Sequence, residues 1–459
     1  MCLARKGMAV VMTINRAQDS FKRKLHYDVV VVGGGIAGII AAASASSIGM
    51  NVLLIEAATF LGGVVTMGPL EALMTFHDSQ QQVIAGMAGK FLEVLHRYDP
   101  KAVPVEDTTG YCTTILPYDA EMMKLSIGIF LREYGVHVMT ETILADVQLE
   151  SRTLSKLVLQ TKTGQVLVET GAVVDCSGMG ICAYLAGNGL YYGNEDGKSQ
   201  PVTVLGKIGG VDLPLLKEYV RQNAQDFKCF TGKLNLDTDF LHLWGFGSVL
   251  KKGYEEKALS LFRQEMHVMQ TSRENEVVIN FSRINTDPMD AQMLSASQTE
   301  GYEQVYQLFH YFKGHIPAFR KAFISQCGYV GIRENGRIKG RYVLSRNDIM
   351  AGTRFPTVVA RGAFPIDIHE DDASMKFERI IKAYDIPMEC LHAESIDNLF
   401  IGGRCVSSTF EANGSCRISA TCMATGHAAG LMAAIYVKDG QVQYGRVVNC
   451  LQEQGAIIE

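Results

Sequence analysis

Residues 28–56 read DVVVVGGGIAGIIAAASASSIGMNVLLIE, and this stretch decides the fold. Asp28–Val32 is a short β-branched run, followed by a glycine turn and an Ala/Ile/Ser-rich segment with helical character to about Ile48. Gly49 stops that helix, and Asn51–Ile55 is a second apolar strand ending at Glu56. A strand, a helix and a strand within about 30 residues make a βαβ unit, which builds a parallel sheet. The turn has the spacing Gly33-x-Gly35-x-x-Gly38. The first glycine permits the sharp turn, the second lets a diphosphate reach the backbone, and the third lets helix and strand pack closely. A diphosphate placed there meets the free N–H groups and positive dipole end of the helix. Glu56 follows the turn by roughly 20 residues, where an acid accepts hydrogen bonds from a ribose.

Further along, Tyr118–Tyr134 has helical spacing with Gly135 as its stop, and Val136–Met139 is a strand. Leu154–Gln160 and Gln165–Glu169 flank Thr163-Gly164 as a hairpin, and Ala172–Asp175 is another buried strand. Between about Pro201 and Tyr384 aromatics, methionines and charges mix, which marks a second domain. From Asn398 the buried texture returns with a strand to Ile401, a glycine turn, and a long helix to about Val437. The expected fold is therefore α/β, a Rossmann-type nucleotide domain with an inserted α+β substrate domain. Its divisions are a flexible extension (1–26), the first part of the nucleotide domain (27–200), the substrate or cap domain (201–384), the second part (385–440) and a tail (441–459).

The chain has 459 residues, enough for two cores, and 47% are hydrophobic against 20% charged. A formal charge of −5 offers no concentrated basic face for nucleic acid. Eleven cysteines include no C-x-x-C, and Cys176/Cys182 and Cys416/Cys422 are each six apart, which fits neither a zinc site nor a dithiol redox motif. Buried free thiols in a reducing cytoplasm are expected. The basic first 26 residues lack a convincing signal-peptide core, so they read as a frayed extension, with Met8 or Met12 as alternative starts. Val29–Ile55 and Ile418–Val437 mimic membrane spans, the second even containing Gly426-x-x-x-Gly430. Uncharged runs are equally expected inside a parallel α/β core, and no membrane partner is read from them.

Several motifs favour FAD over NAD. Glu56 is followed by Gly62-Gly63, a second backbone-exposing turn, and Val173-Val174-Asp175-Cys176-Ser177-Gly178 is an apolar strand ending in a small residue and glycine. Both resemble the FAD domains of the glutathione-reductase-like flavoproteins. A second flanked Gly-x-Gly-x-x-Gly, which a separate NAD(P)H domain needs, is missing. Asn398–Cys405, Thr409–Arg417 and Gly426–Gly430 resemble the third flavin marker of that superfamily. With Gly331–Glu334, Arg337–Tyr342, Phe364–His369 and Tyr384–Pro387, the chain resembles the FAD-dependent oxidoreductase family, related to the fumarate reductase flavoproteins, over residues 27 to 437. The resemblance implies an FAD site lined by Gly33, Gly35, Ile36, Ala37, Gly38, Glu56, Ala57, Gly62, Gly63, Val64 and Leu144. Its other side is expected from Ser177, Gly178, Gly403, Arg404, Ser415, Arg417 and Ile418. Where the family shows Arg, His and Gln, this chain has Gly336, Phe410 and His427. The covalently flavinylated relatives carry a histidine near the segment matching Leu61–Gly68. None lies there, so non-covalent FAD is expected, with His77 as a distant alternative.

A helix starting near Ser415 aims N–H groups at the flavin's pyrimidine edge, and Arg404 or Arg417 adds a cation that stabilises the anionic reduced ring. Candidate catalytic residues are His369, Arg333, Arg337, Tyr342 and Glu411. Arginine clamps a carboxylate or polarises a carbonyl, and histidine moves protons near neutral pH. Against these stand ordinary structural roles, and the aromatics with His310 and His315 between Tyr302 and Phe323 read as core packing. No Ser/His/Asp or metal-ligand constellation appears. The leading function is hydride transfer between flavin N5 and a small organic substrate. The alternatives are an oxygen-activating monooxygenase or halogenase, a non-enzymatic FAD protein, and an NAD enzyme; the electron donor or acceptor is left open.

Overall fold

The computed structural model describes residues 23–459 except 233, 373 and 381. β1 (Arg23–Val32), α1 (Ile36–Ser47) and β2 (Val52–Ile55) form the expected unit, with β1 and β2 parallel from Val29↔Val52 to Val32↔Ile55. The sheet grows from this pair in both directions. His137–Met139 lies outside β2, while Gly164–Asp175 lies on the other side of β1 and then Leu399–Ile401 beyond it, all parallel. The first and last thirds of the chain thus share one sheet, as the discontinuous nucleotide fold requires. Thr153–Thr161 and Ile143–Glu150 extend it as an antiparallel meander. The two strands expected at Gln165–Glu169 and Ala172–Asp175 are one continuous strand. Its first half pairs with the meander and both halves pair with β1, so Gly171 is carried through rather than breaking it.

The charge-free strands follow from having both faces covered. Val29 and Val31 enter the core with Ile39, Ile40 and the C-terminal helix, whereas Val30 and Val32 enter a second core with Leu53, Ile55 and Val173. Side chains alternate across a strand, so both sets must be apolar.

The long C-terminal helix, Ser419–Asp439, packs along α1. A Cβ on Gly426 would stand 2.2 Å from the Ala37 carbonyl oxygen, and one on Gly430 2.2 Å from that of Ala41. The Gly-x-x-x-Gly pattern is consumed here, letting two helices meet backbone to backbone. Among the described residues this is the one helix long and apolar enough to cross a membrane, and 83% of its apolar window is buried within the protein. It does not begin near Ser415. Phe410–Cys416 is a separate helix capped by Thr409, and the chain then breaks at Ile418, which is extended (φ −73°, ψ 147°). The Arg417 side chain, donating to the Asp367 carbonyl, and Ser415 Oγ, donating to the Phe364 carbonyl, tie this break to the neighbouring Phe364–Asp367 segment.

Five antiparallel strands make a second sheet in the order His242–Gly245, Met266–Gln270, Glu276–Asn280, Gly206–Gly209, Phe323–Cys327. The Ala291–His315 helix lies across it, N-capped by Asp290. Val305, Leu308, Phe309 and Phe312 recur at helical spacing and enter that core with Ile208, Leu243 and Val268, while Tyr302, Tyr306 and His310 face solvent. Residues 444–453, within the segment read as a tail, form a helix whose Val447 and Leu451 join the first core.

Gly430→Ala forces the two helices apart and is expected to cost about 1–3 kcal/mol in chemical denaturation. Gly128→Ala, on an exposed helix position with nothing near its added methyl, should instead stabilise by about 0.5–1 kcal/mol. His427 lies buried beneath, its Nε2 2.8 Å from Gln454 Oε1, and burial followed by the Lys90 charge pulls its pKa down to about 4. The unfolded chain protonates this group below about pH 6.5 and the folded one resists until about 4, so its stabilisation is full above that window and lost as pH falls through it. His427→Gln should remove roughly 3 kcal/mol of acid sensitivity between those limits, read from denaturation midpoints against pH.

Candidate functional site

Three turns converge at the C-terminal ends of the parallel strands. In the first, Gly33 adopts φ +101°, and a Cβ there would stand 2.6 Å from the Cys176 carbonyl oxygen. A Cβ on Gly38 would lie 1.9 Å from the Gly33 carbonyl oxygen, so only glycine lets α1 start this close to the strand. Gly35 differs: a Cβ there would meet nothing within 4 Å and would project into open space. The second turn lies against the first, with the Gly62 N–H donating to the Gly34 carbonyl at 2.8 Å and Gly35 bridged to Gly62. Glu56 joins both: Oε2 accepts from the Gly34 N–H at 2.7 Å and Oε1 from the Ala58 N–H at 2.8 Å. Ala57 and Val64 are exposed along this rim, Val64 at 46%, whereas Leu144 is buried within the Ile143–Glu150 strand of the sheet.

The third turn comes from the far end of the sequence. A Cβ on Gly403 would stand 2.8 Å from Ala37 Cβ, and the Gly403 N–H donates to Thr425 Oγ1 at 3.0 Å. The Gly33 and Gly403 turns are therefore side by side at the start of α1, with Ile36 and Ala37 buried between sheet and helices. Arg404 fastens them to the Ser177-Gly178 turn, donating to the carbonyls of Gly178 (3.0 Å) and Ile332. Asp175 shapes that turn from below. Its buried carboxylate accepts from the Ser177 N–H and Oγ–H and from the N–H groups of Cys182 and Ala183. Open space over Gly35, a ribose acid at its edge and a floor of close-packed glycines suit a dinucleotide, and the residues fit FAD.

A family model described as FAD dependent oxidoreductase matches residues 28–452. The chain belongs to that family. It is a flavoenzyme with FAD as its cofactor. Curated proteins include no match to it. Similar folds occur in a geranylgeranyl bacteriochlorophyll reductase-like protein from Thermoplasma acidophilum, with 13% identity, 94% of this chain and 83% of that one covered, and TM-score 0.47. p-Nitrophenol 4-monooxygenase from Pseudomonas putida DLL-E4 gives 12% identity, 94% and 84% coverage and TM-score 0.48. L-Proline dehydrogenase from P. horikoshii gives 14%, 95% and 100%, and 0.42.

Beside the third turn lies a buried polar cluster centred on Asp367. A Cβ on Gly414 would stand 2.9 Å from the Asp367 carbonyl oxygen, and Arg417 Nη2 donates to that same oxygen at 3.0 Å. The Asp367 carboxylate meets His369 Nε2 at 3.2 Å and lies 3.7 Å from Arg417 Nη2, with Tyr111 within its electrostatic reach. Despite its burial, His369 and the arginines hold its pKa far below the usual carboxylate range. Arg283 Nη2 donates to His369 Nδ1 at 3.0 Å, since a guanidinium has no acceptor. Nε2 therefore carries the imidazole proton and gives it to Asp367. Burial and Arg283 keep this ring neutral, with its pKa well below the ordinary histidine value. Both His369 nitrogens are engaged, so the ring bridges Arg283 to Asp367.

The other sequence candidates divide. Arg333 donates to the Pro201 carbonyl at 2.7 Å within the electrostatic reach of Asp367 and Arg417, and burial lowers its pKa to about 9. Arg337 is buried, paired with Glu334 and tied to the Ser408 and Gly193 carbonyls, which is a structural set of contacts. Tyr342 is 37% exposed and bonds Asp348 at the cap of a short helix. Glu411 occupies the first turn of the Phe410–Cys416 helix. Ser415 is buried, donating to the Phe364 carbonyl and 2.8 Å from the Tyr384 hydroxyl, and Ile418 packs against the aromatic cluster that includes Tyr111 and Trp244.

Sequence reasoning missed Tyr111, Arg263, Arg283 and Trp244. Trp244, the chain's single tryptophan, lies tilted against His267 at 3.7 Å and edge-on to Tyr111 at 5.0 Å. Asp367 sat inside a quoted motif, two residues before His369, and that adjacency was its available signal.

The cradle predicts a clean separation of folding from cofactor retention. Gly35→Val, at an ordinary φ of −68° with open space ahead, should keep the fold within about 1 kcal/mol yet purify without the yellow flavin absorbance. Retention of flavin at full stoichiometry would place the diphosphate elsewhere.

Proposed function

We propose that this flavoenzyme transfers a hydride between N5 of non-covalently held FAD and a small organic molecule seated in the cluster around Asp367. The reading rests on one observation: unmatched polar atoms concentrate there. Asp367 Oδ1, Arg417 Nη1 and Trp244 Nε1 are all buried without a hydrogen-bond partner. Buried donors and acceptors ordinarily find partners, and leaving one unpaired costs about 1–3 kcal/mol. A small polar molecule entering the cluster satisfies them.

Bound flavin supplies the two-electron chemistry. The chain's own residues bind, orient and exclude water. Tyr111, stacked on Phe377 at 5.1 Å beside Asp367, walls the cluster, and burial raises its phenol well above the ordinary value so that it remains a neutral donor. The Asp367 carboxylate stays ionised and offers its free oxygen as an acceptor. His77 is turned to Thr114, Nδ1 to Oγ1 at 3.1 Å, which supports non-covalent attachment. A place in the fumarate reductase-related branch and a cytoplasmic location complete the proposal.

Anaerobic titration of the purified holoenzyme with a metabolite panel tests the reading. A compound that enters the cluster and donates hydride should bleach the flavin band. Tyr111→Phe should lower the bleaching rate about 10-fold or more without changing flavin content. Bleaching that is unaffected by Tyr111→Phe and Trp244→Phe would place the chemistry outside this cluster.

A further inference from the structure

The cluster that the proposed function assigns to substrate carries more positive charge than the protein answers. Arg263, Arg283, Arg333 and Arg417 surround it, and the carboxylate among them is that of Asp367. Of the other acids within reach, Glu334 is paired with Arg337, Glu265 with Lys228, and buried Asp107 is spent on His242, with Oδ1 2.7 Å from Nδ1. Arg263 and Arg283 are each 5% exposed. Guanidinium groups do not lose their proton in proteins, so these charges persist in a place where charge is costly. Buried Lys207, Arg337 and Arg361 each have a counter-ion of their own: Glu71, Glu334 and Asp385.

The hydrogen bonds show the same shortfall. Arg263 Nη1 donates to the Asn280 and Phe281 carbonyls, and Arg283 Nη1 to Thr203 Oγ1, Asn280 Oδ1 and the Ser282 carbonyl. These neutral acceptors hold each guanidinium in place without cancelling its charge. Arg263 Nε, Arg283 Nε and Arg417 Nη1 remain buried and unpartnered. Burial depresses all four arginine pKa values, those of Arg263 and Arg333 to about 10 and about 9, and neighbouring arginine charges add to this at Arg283 and Arg333.

We propose that the substrate is an anion bearing a carboxylate, and that Arg417, Arg263 and Arg283 recognise it. A carboxylate supplies both the missing charge and paired oxygen acceptors that match a guanidinium fork. A neutral carbonyl or hydroxyl compound supplies acceptors and leaves the charge unanswered. This inference depends on the cluster being the substrate site. The same positive field would also suit negative charge on a reduced flavin ring, so the test uses the oxidised, uncharged ring.

Oxidised holoenzyme is titrated with acetate and malonate, and in parallel with acetamide and malonamide at equal ionic strength, while the visible flavin spectrum is recorded. The expected result is a saturable spectral change with the carboxylates and none with the amides. Arg417→Gln and Arg417→Lys, each checked for full flavin content, should weaken carboxylate binding about 10- to 100-fold. If amides perturb or bleach the flavin while carboxylates do not, the anion proposal fails and the substrate cluster stands. If carboxylates leave the spectrum unchanged and Arg417→Gln shifts only the flavin midpoint potential, the charge serves the reduced ring and the proposal is overturned. If carboxylates and amides are alike silent and no panel compound bleaches the flavin, the cluster is not the substrate site and both readings fall.

Discussion

The contact of α1 with the Ser419–Asp439 helix, made through Gly426 and Gly430, determines where every functional group can sit. At these two points the helices approach to a separation that a single methyl would occupy. With them held together, the turn after β1 and the turn after Leu399–Ile401 are forced side by side, and residues 370 positions apart (33 and 403) wall the same groove. The parallel register of Leu399–Ile401 on Val173–Asp175 adds the second marker to the same end of the sheet. Any side chain larger than hydrogen at these crossings moves one wall of the groove away from the other.

The region around the second sheet then supplies the other half of the proposed site. Its five-stranded sheet brings Arg263 and Arg283 from near strand ends, and Trp244 from within a strand, toward Asp367 on the chain that leads back to the nucleotide domain. The break between Phe410–Cys416 and Ser419–Asp439 lets Arg417 turn to the same place. Flavin chemistry needs little from the protein beyond position and field, and both are concentrated at this junction: a carboxylate held ionised, a histidine held neutral, and guanidinium charge without a full counter-ion.

The nucleotide half was legible because its constraints are local. Gly33, Gly35 and Gly38 lie within six residues, Glu56 follows at a fixed distance, and charge-free strands announce a sheet covered on both faces. The Gly426/Gly430 pattern was read as a membrane mimic, since one sequence cannot show which helix the small residues face. Nothing in the local sequence between Ser415 and Val437 signals a break, because the interruption at Ile418 depends on long-range hydrogen bonds to Phe364 and Asp367. The arginine cluster escaped for a similar reason. Arg263 and Arg283 stand in unremarkable local sequence, and their meaning comes from sheet pairing and burial. Arg337 and Tyr342 belong to a motif that resembles the family, yet their contacts are with Glu334, Ser408 and Asp348, away from the cluster.

A crystal structure of the flavin-bound protein tests the central claim most directly, because it locates both ends of the cofactor at once. The account predicts diphosphate density over the Gly35 amide with the ring system reaching the Gly403–Ile418 segment, next to Asp367 and Arg417. Density for the ring on the opposite side of α1, or a diphosphate bound away from Gly35, would contradict it.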